Sequence, residues 1–143
     1  MIKTKRWDEP READDGFRLL ICRYRPRALL KSKETWDLWW PQLGPSKELH
    51  GAFYGKHGQT PLNWEAYRQL YLNEMKGEGQ QESIAILAEK VAEGKTITLL
   101  CSSACTDASH CHRSLLKQLI EEKVSRLQSG AKPQAAQTVT GPA

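Results

Sequence analysis

The fold is decided by FRLLICR at residues 17–23, a nearly continuous apolar run that follows the turn signal Asp14-Asp15-Gly16. A strand that is buried on both faces of a sheet has this composition, because neither face meets water. A second run of the same kind, TITLLC at residues 96–101, combines β-branched and apolar residues. Both stretches are therefore predicted to be buried strands of one sheet.

The segments around these strands carry other periodicities. Ile2–Trp7 alternates basic with apolar or β-branched residues and is predicted to be an edge strand. Apolar residues three or four apart predict amphipathic helices. One follows the N-cap candidate Ser32, one opens at Thr60-Pro61, and two more cover about residues 81–93 and the stretch from about residue 109. Residues 44–60, rich in Gly, Pro, Ser and His, are expected to form a long surface connection or flap.

Strands separated by amphipathic helices favour parallel pairing with right-handed crossovers. The expected fold class is α/β: a small, open, mostly parallel sheet with helices on its faces, in a Rossmann-like three-layer arrangement. Residues 1–128 are predicted to form one such domain. Residues 129–143 are Gln-, Ala-, Thr- and Pro-rich without periodicity and are predicted to be a disordered tail. Helical spacing assigns four tryptophans to the core rather than to base stacking: Trp36, Trp39, Trp40 and Trp64.

Composition excludes a membrane-spanning protein. Apolar residues make up 39% and charged residues 27%, which is ordinary for a globular domain. The apolar runs are far shorter than the roughly 20 residues that span a bilayer. Residues 1–15 contain no apolar stretch of signal-peptide length, so a cytoplasmic location is predicted. In that compartment the four cysteines would stay reduced.

Positive charge is concentrated at the start of the chain. Residues 1–33 hold ten Lys or Arg against five Asp or Glu, and this excess accounts for the whole formal net charge of +4. Such an excess attracts phosphate or carboxylate groups, but it is weaker than the basic bias of a dedicated duplex-DNA binder. The expected partner is therefore a small anionic ligand or a nucleic-acid phosphate, and no membrane.

Three arginines directly follow the first buried strand: Arg23, Arg25 and Arg27. Guanidinium groups pair in bidentate fashion with phosphate and carboxylate oxygens. In open α/β sheets, ligands bind beyond the carboxyl ends of the strands, where these residues are expected to lie. They are predicted to bind an anion. The alternative is that they form salt bridges with acidic residues or lie solvated on a loop.

A cluster of cysteines follows the second buried strand and ends in Cys111-His112-Arg113. One interpretation makes Cys111 a catalytic thiol and His112 its acid/base, because a helix N-terminus, His112 and Arg113 would together lower the thiol pKa. A second interpretation makes Cys101, Cys105 and Cys111 the ligands of a zinc or iron ion. Against it, the adjacent Cys111 and His112 would point in different directions.

Two further interpretations need no chemistry from sulfur. In one, the start of the last helix and Arg113 bind an anion together with the arginines after the first strand, while the cysteines are small buried residues. In the other, the segment is a structural loop without a ligand. The first is preferred, and it predicts an anionic ligand held between four residues: Arg23, Arg25, Arg27 and Arg113. It requires the two segments to share one cleft.

The order of these motifs resembles the YeaO-like family, a bacterial and archaeal domain of unknown function. The similarity covers about residues 2–120. The matching residues are Asp15–Ile21, Arg23–Arg27, Leu43–Ser46 with Glu48-Leu49, Phe53, His57, Trp64, Tyr67, Tyr71, Glu74, Thr98–Cys101 and Cys111–Arg113. The resemblance implies an α/β fold and no particular activity. Arg25 stands where the family has Trp, Ala28 where it has Gly, and Cys22 where an acidic residue is usual, which implies a more basic pocket.

Overall fold

The computed structural model describes residues 1–129, apart from the side chain of His57. In this part of the chain four strands form one parallel sheet in the order β1-β4-β2-β3. The strands are β1 (Ile2–Arg6), β2 (Phe17–Leu20), β3 (Leu38–Trp39) and β4 (Ile97–Cys101). Both predicted buried strands are thus neighbours at the centre of the sheet, and the predicted edge strand is β1.

Helices pack against this sheet. They are α1 (Lys47–Tyr54), α2 (Trp64–Glu74), α3 (Glu78–Ala92) and α4 (His112–Gln128). The predicted α/β class, with a parallel sheet and helices, is confirmed. Buried residues of all four helices belong to one core cluster. The predicted tail falls, from residue 130 onwards, outside the described residues.

The side chains of β2 and the residues after it alternate between two buried clusters. Leu19 and Ile21 belong to the larger cluster, which includes Tyr71 of α2, Leu87 of α3 and Leu116 of α4. The smaller cluster consists of Leu20, Cys22, Trp36, Leu100, Cys101 and Cys111. Because both faces are covered, β2 and β4 are nearly continuous apolar runs in the sequence, interrupted by Arg18 and Thr98.

A network of buried charges joins β1 to β2. The carboxylate of Asp15 is fully buried and accepts hydrogen bonds from Lys3 at 2.7 Å, Lys5 at 3.0 Å and Arg18 at 2.6 Å. Burial alone would raise the pKa of Asp15, but the bonds from Lys3, Lys5, the Glu12 N–H and Arg18 outweigh it and lower that pKa. The Asp14-Asp15-Gly16 turn signal therefore also contains the anchor of this network.

The turn at Gly16 requires glycine. Its φ of +63° lies in the left-handed region, and a Cβ at this position would come within 2.2 Å of the Thr96 carbonyl oxygen. That oxygen accepts a hydrogen bond from the Phe17 N–H at 3.0 Å, so the close approach brings the start of β2 to β4.

Two predicted elements are wrong. The helix expected after Ser32 is a short 3₁₀ turn followed by β3, and Trp39 remains 36% exposed because it lies on this short strand. The expected flap at residues 44–60 contains α1, whose N-cap Ser46 accepts a hydrogen bond from the Leu49 N–H. The other three tryptophans pack against the cores as predicted: Trp36, Trp40 and Trp64.

The N-cap of α2 also differs from the prediction. Asn63, three residues after Thr60, accepts a hydrogen bond from the Ala66 N–H at 2.8 Å. Thr60 and Pro61 lie before the helix, so the threonine-proline pair marks its approach rather than its first turn.

Candidate functional site

A cavity of about 500 Å³ opens beyond the carboxyl ends of β2 and β4. The segment after β2 contributes Arg23 and Arg25, and the end of β4 with the segment after it contributes Cys101, Cys105 and Cys111. The expectation that the two segments share one cleft is thus confirmed. The adjacency follows from the topology, since the carboxyl ends of neighbouring parallel strands meet at one edge of the sheet.

The three arginines of the first segment have different surroundings. Arg23 lines the cavity and its Nε donates to the Pro45 carbonyl oxygen at 2.7 Å. Arg25 also lines the cavity, but its Nε donates to Glu34 at 2.7 Å and its guanidinium lies 5.7 Å from the Trp36 ring centre. Arg27 is not among the lining residues. Arg25 thus forms the salt bridge with an acidic residue that was the alternative to anion binding. Of these three arginines, Arg23 is the one that lines the cavity with terminal nitrogens available to a ligand.

Helix α1 adds two basic residues that sequence reasoning did not assign to the site. Lys56 follows the helix and lies over the Tyr24 ring at 5.4 Å. His50 lines the cavity between the rings of Tyr24 and Tyr54, at 5.1 and 4.7 Å. Burial, followed by the nearby charge of Lys56, lowers the pKa of His50. The N-cap signal at Ser46 was present in the sequence and would have revealed the helix that brings both side chains here.

The sulfur atoms of Cys101, Cys105 and Cys111 all lie within 4.8 Å of one another, and we call these residues the thiol trio. Cys101 ends β4, Cys111 is the N-cap of α4, and Cys105 lies in the loop between them. The Cys111 and Cys101 sulfurs are 3.2 Å apart as free thiols. Strand end, loop and helix start thus converge at the cavity, as the metal interpretation requires.

His112 joins α4 to the end of β2. Its Nε2 donates to the Ile21 carbonyl oxygen at 2.8 Å, since a carbonyl oxygen can only accept. In the neutral ring Nδ1 is then an acceptor, and it faces the Cys101 sulfur at 3.8 Å. Burial lowers the pKa of His112, which favours that neutral ring. Against the expectation from their adjacency, Cys111 and His112 approach one partner, because the Cys111 sulfur also contacts the Cys101 sulfur at 3.2 Å.

Arg113 is buried beside the thiol trio and does not line the cavity. Its Nη2 donates to the Cys105 carbonyl oxygen at 3.4 Å. Its Nε and Nη1 are buried and have no hydrogen-bond partner among residues 1–129. The predicted set of four arginines therefore does not assemble around one point: Arg27 lies outside the cavity, Arg25 is paired, and Arg113 is behind the cysteine loop.

The three thiols differ in their preference for a proton. Hydrogen bonding with Cys101 and Cys105, together with burial, raises the pKa of Cys111, so the expected lowering at this residue is wrong. Hydrogen bonds from Cys101 and Cys111 lower the pKa of Cys105, with help from the positive charge of Arg113. Of the three thiols, Cys105 is therefore the one whose surroundings favour the thiolate. The catalytic roles of Cys111 and His112 stay predictions.

Residues 2–124 match the family model described as the active DUF488-N3 subclade, DUF488-N3a. The chain belongs to this family. The DUF488-N3a protein is also 32% identical over 109 residues to the uncharacterized protein YeaO of Escherichia coli K12, across 76% of this chain and 89% of YeaO. The resemblance to the YeaO-like family is thereby confirmed. No solved structure matches the chain.

The family match covers the whole candidate site of this DUF488-N3a protein. It includes all four strands, the cavity-lining residues and the thiol trio, and it ends within α4. In the described part of the chain, no helix combines the length and the apolar character needed to cross a membrane.

Proposed function

We propose that this DUF488-N3a protein binds a small anionic ligand of nucleotide size in the cavity beyond β2 and β4. One observation carries the proposal: Arg23, Arg25 and Lys56 line the cavity, and among the described residues no Asp or Glu does. A concave surface lined by cations without carboxylates concentrates anions. Phosphate and carboxylate are the groups that such a surface selects.

The cations contribute unequally. Arg23 is anchored through Nε, which leaves its two terminal nitrogens for a bidentate contact with phosphate. Lys56 supplies a point charge on a flexible stem above Tyr24. Arg25 is already paired with Glu34, so it supplies positive potential rather than a free donor. Arg23 is therefore expected to contribute most to ligand affinity.

The remaining lining favours an organic ligand with a planar part. Four aromatic side chains face the cavity: Tyr24, Phe53, Tyr54 and Tyr67. The volume of about 500 Å³ lies within the range of small-molecule sites. His50 lines the cavity as well, and its buried Nδ1 has no partner in the described chain. A nucleoside phosphate combines the planar and the anionic parts.

The test is isothermal titration calorimetry with inorganic phosphate, nucleoside monophosphates and a short single-stranded oligonucleotide. Arg23→Ala is expected to weaken binding at least tenfold, because a hydrogen bond to a charged group contributes about 1.5–3 kcal/mol. Lys56→Ala is expected to have a smaller effect. Arg27→Ala is the matched control, since it removes the same charge from the same segment outside the cavity.

Equal losses in Arg23→Ala and Arg27→Ala would contradict the proposal, because they would indicate attraction by net charge alone. Absence of binding by all three ligand classes would also contradict it. Binding of the oligonucleotide alone, with affinity falling steeply as salt rises, would replace the small ligand by a nucleic-acid phosphate.

A further inference from the structure

We propose that Cys101, Cys105 and Cys111 hold a single thiolate-preferring divalent metal ion of the zinc class, with a fourth coordination position open to the cavity. The inference does not depend on the anionic ligand proposed above. It is based on the spacing of the sulfurs, on the donors buried around them and on their exposure to the cavity.

The sulfur spacing suits one ion. Zinc binds thiolate sulfur at about 2.3 Å in a tetrahedron, which places two sulfurs of one ion about 3.8 Å apart. The three sulfurs lie within 4.8 Å of one another, with the Cys101 and Cys111 sulfurs at 3.2 Å. Small side-chain rotations therefore suffice to close the triangle around an ion. An iron–sulfur cluster places iron and sulfide between its cysteines and needs wider spacing.

The protein charge around the trio also suits a metal–thiolate group. A divalent ion with three thiolates carries one net negative charge, after each thiol has released its proton to solvent. Arg113, which is 6% exposed, carries one positive charge beside Cys105. Among residues 1–129 its Nε and Nη1 have no hydrogen-bond partner, which is costly for buried donors. Thiolates beside this guanidinium would supply hydrogen-bond acceptors and the opposite charge.

The fourth position is accessible. All three cysteines line the cavity, so an ion among them can be reached by a ligand from there. Three protein ligands and one exchangeable position are the arrangement of catalytic zinc sites, whereas structural sites use four protein ligands. Cys22 is the remaining cysteine; it packs in the same small cluster but is outside the group of three.

The experiment measures Zn²⁺ in the purified, reduced full chain by native mass spectrometry and determines its affinity by competition with a chromophoric chelator. One Zn²⁺ per chain is expected. Cys105→Ser should weaken Zn²⁺ binding at least tenfold, and this variant is informative because Cys105 is only half-buried and its replacement spares the core. Cys22→Ala should retain one Zn²⁺ and is the matched control.

Co²⁺ alone provides a second readout that does not depend on enzyme activity. The Co²⁺ form should show a thiolate-to-cobalt charge-transfer band and the visible bands of tetrahedral Co²⁺, and imidazole should shift the visible bands by entering the open position. Failure of the reduced chain to bind Zn²⁺ or Co²⁺, full retention by Cys105→Ser, or loss in a folded Cys22→Ala variant would overturn the assignment. Binding of metal without any phosphate or nucleotide binding would support it while contradicting the anion proposal.

Discussion

Two buried arginines of this protein lie in opposite situations. Arg18 is 0% exposed, and each of its nitrogens donates: Nε to Thr35, Nη1 to Asp15 and Nη2 to Glu9. Arg113 is 6% exposed, and only its Nη2 has a partner within the described chain, at 3.4 Å. A buried guanidinium that is fully bonded holds the fold together, whereas one with free donors indicates a position where another group belongs.

The sharpest way to test the Arg18 side of this comparison is Asp15→Ala. The substitution leaves Arg18 and Lys5 without their shared carboxylate, and breaking a buried ion pair costs about 3–5 kcal/mol. The free energy of unfolding, measured by urea denaturation, should fall by this amount. Asp14→Ala is the matched control, because Asp14 is exposed and its loss should cost less than about 1 kcal/mol. Equal costs for both variants would contradict a structural role for the network.

Acid should weaken the same network. Because the folded-state pKa of Asp15 lies below its unfolded-state pKa, its contribution is fully present above about pH 5 and is lost as the pH falls through the folded-state value. The free energy of unfolding should therefore decrease between about pH 5 and pH 2. Asp15→Asn should flatten this decrease and Asp14→Asn should largely keep it. An unchanged slope in a folded Asp15→Asn variant would refute the assignment.

The Arg113 side predicts a smaller effect. Arg113→Met removes a buried charge that has a single long hydrogen bond within residues 1–129, so the metal-free protein should change in stability by less than about 1 kcal/mol. Zn²⁺ affinity should decrease about tenfold, because groups that support metal ligands contribute factors of this size. Denaturation of metal-free protein and chelator competition measure the two effects. A large fall in the free energy of unfolding of the metal-free variant would mean that the Arg113 guanidinium stabilises the fold, as that of Arg18 does.

The sequence was sufficient to predict the elements whose pattern is local. β2 and β4 were recognisable because strands buried on both faces are almost continuously apolar. The helix predicted at about residues 81–93 was recognisable from Gly94, which lies just after its end at a φ of +96°. The rule that ligands bind at strand ends, applied to the sequence alone, was also enough to predict that Arg23 and Cys105 share one cavity.

Of the two elements that were missed, β3 depends on contacts distant in sequence, whereas the local signal of α1 was hidden by its composition. β3 has only two residues, too few for any periodicity, and it forms because Leu38 and Trp39 pair with β2. α1 contains Gly51 and is followed by Gly55, so its composition resembles a loop. The partners of Asp15 and the unpaired donors of Arg113, among residues 1–129, could not be found from spacing, since they depend on which side chains meet after folding.

The position of β4 has a consequence for how the protein is made. β1 and β2 do not pair with each other; each pairs with β4, which lies more than 75 residues further along the chain than β2. On the ribosome, the first 96 residues therefore lack the centre of their sheet, and long-range pairing of this kind slows folding. Insertion of β4 brings Cys101 to the end of β2 in the same step. A nascent chain that stops before β4 therefore lacks both the strand that joins β1 to β2 and the cysteine side of the cavity.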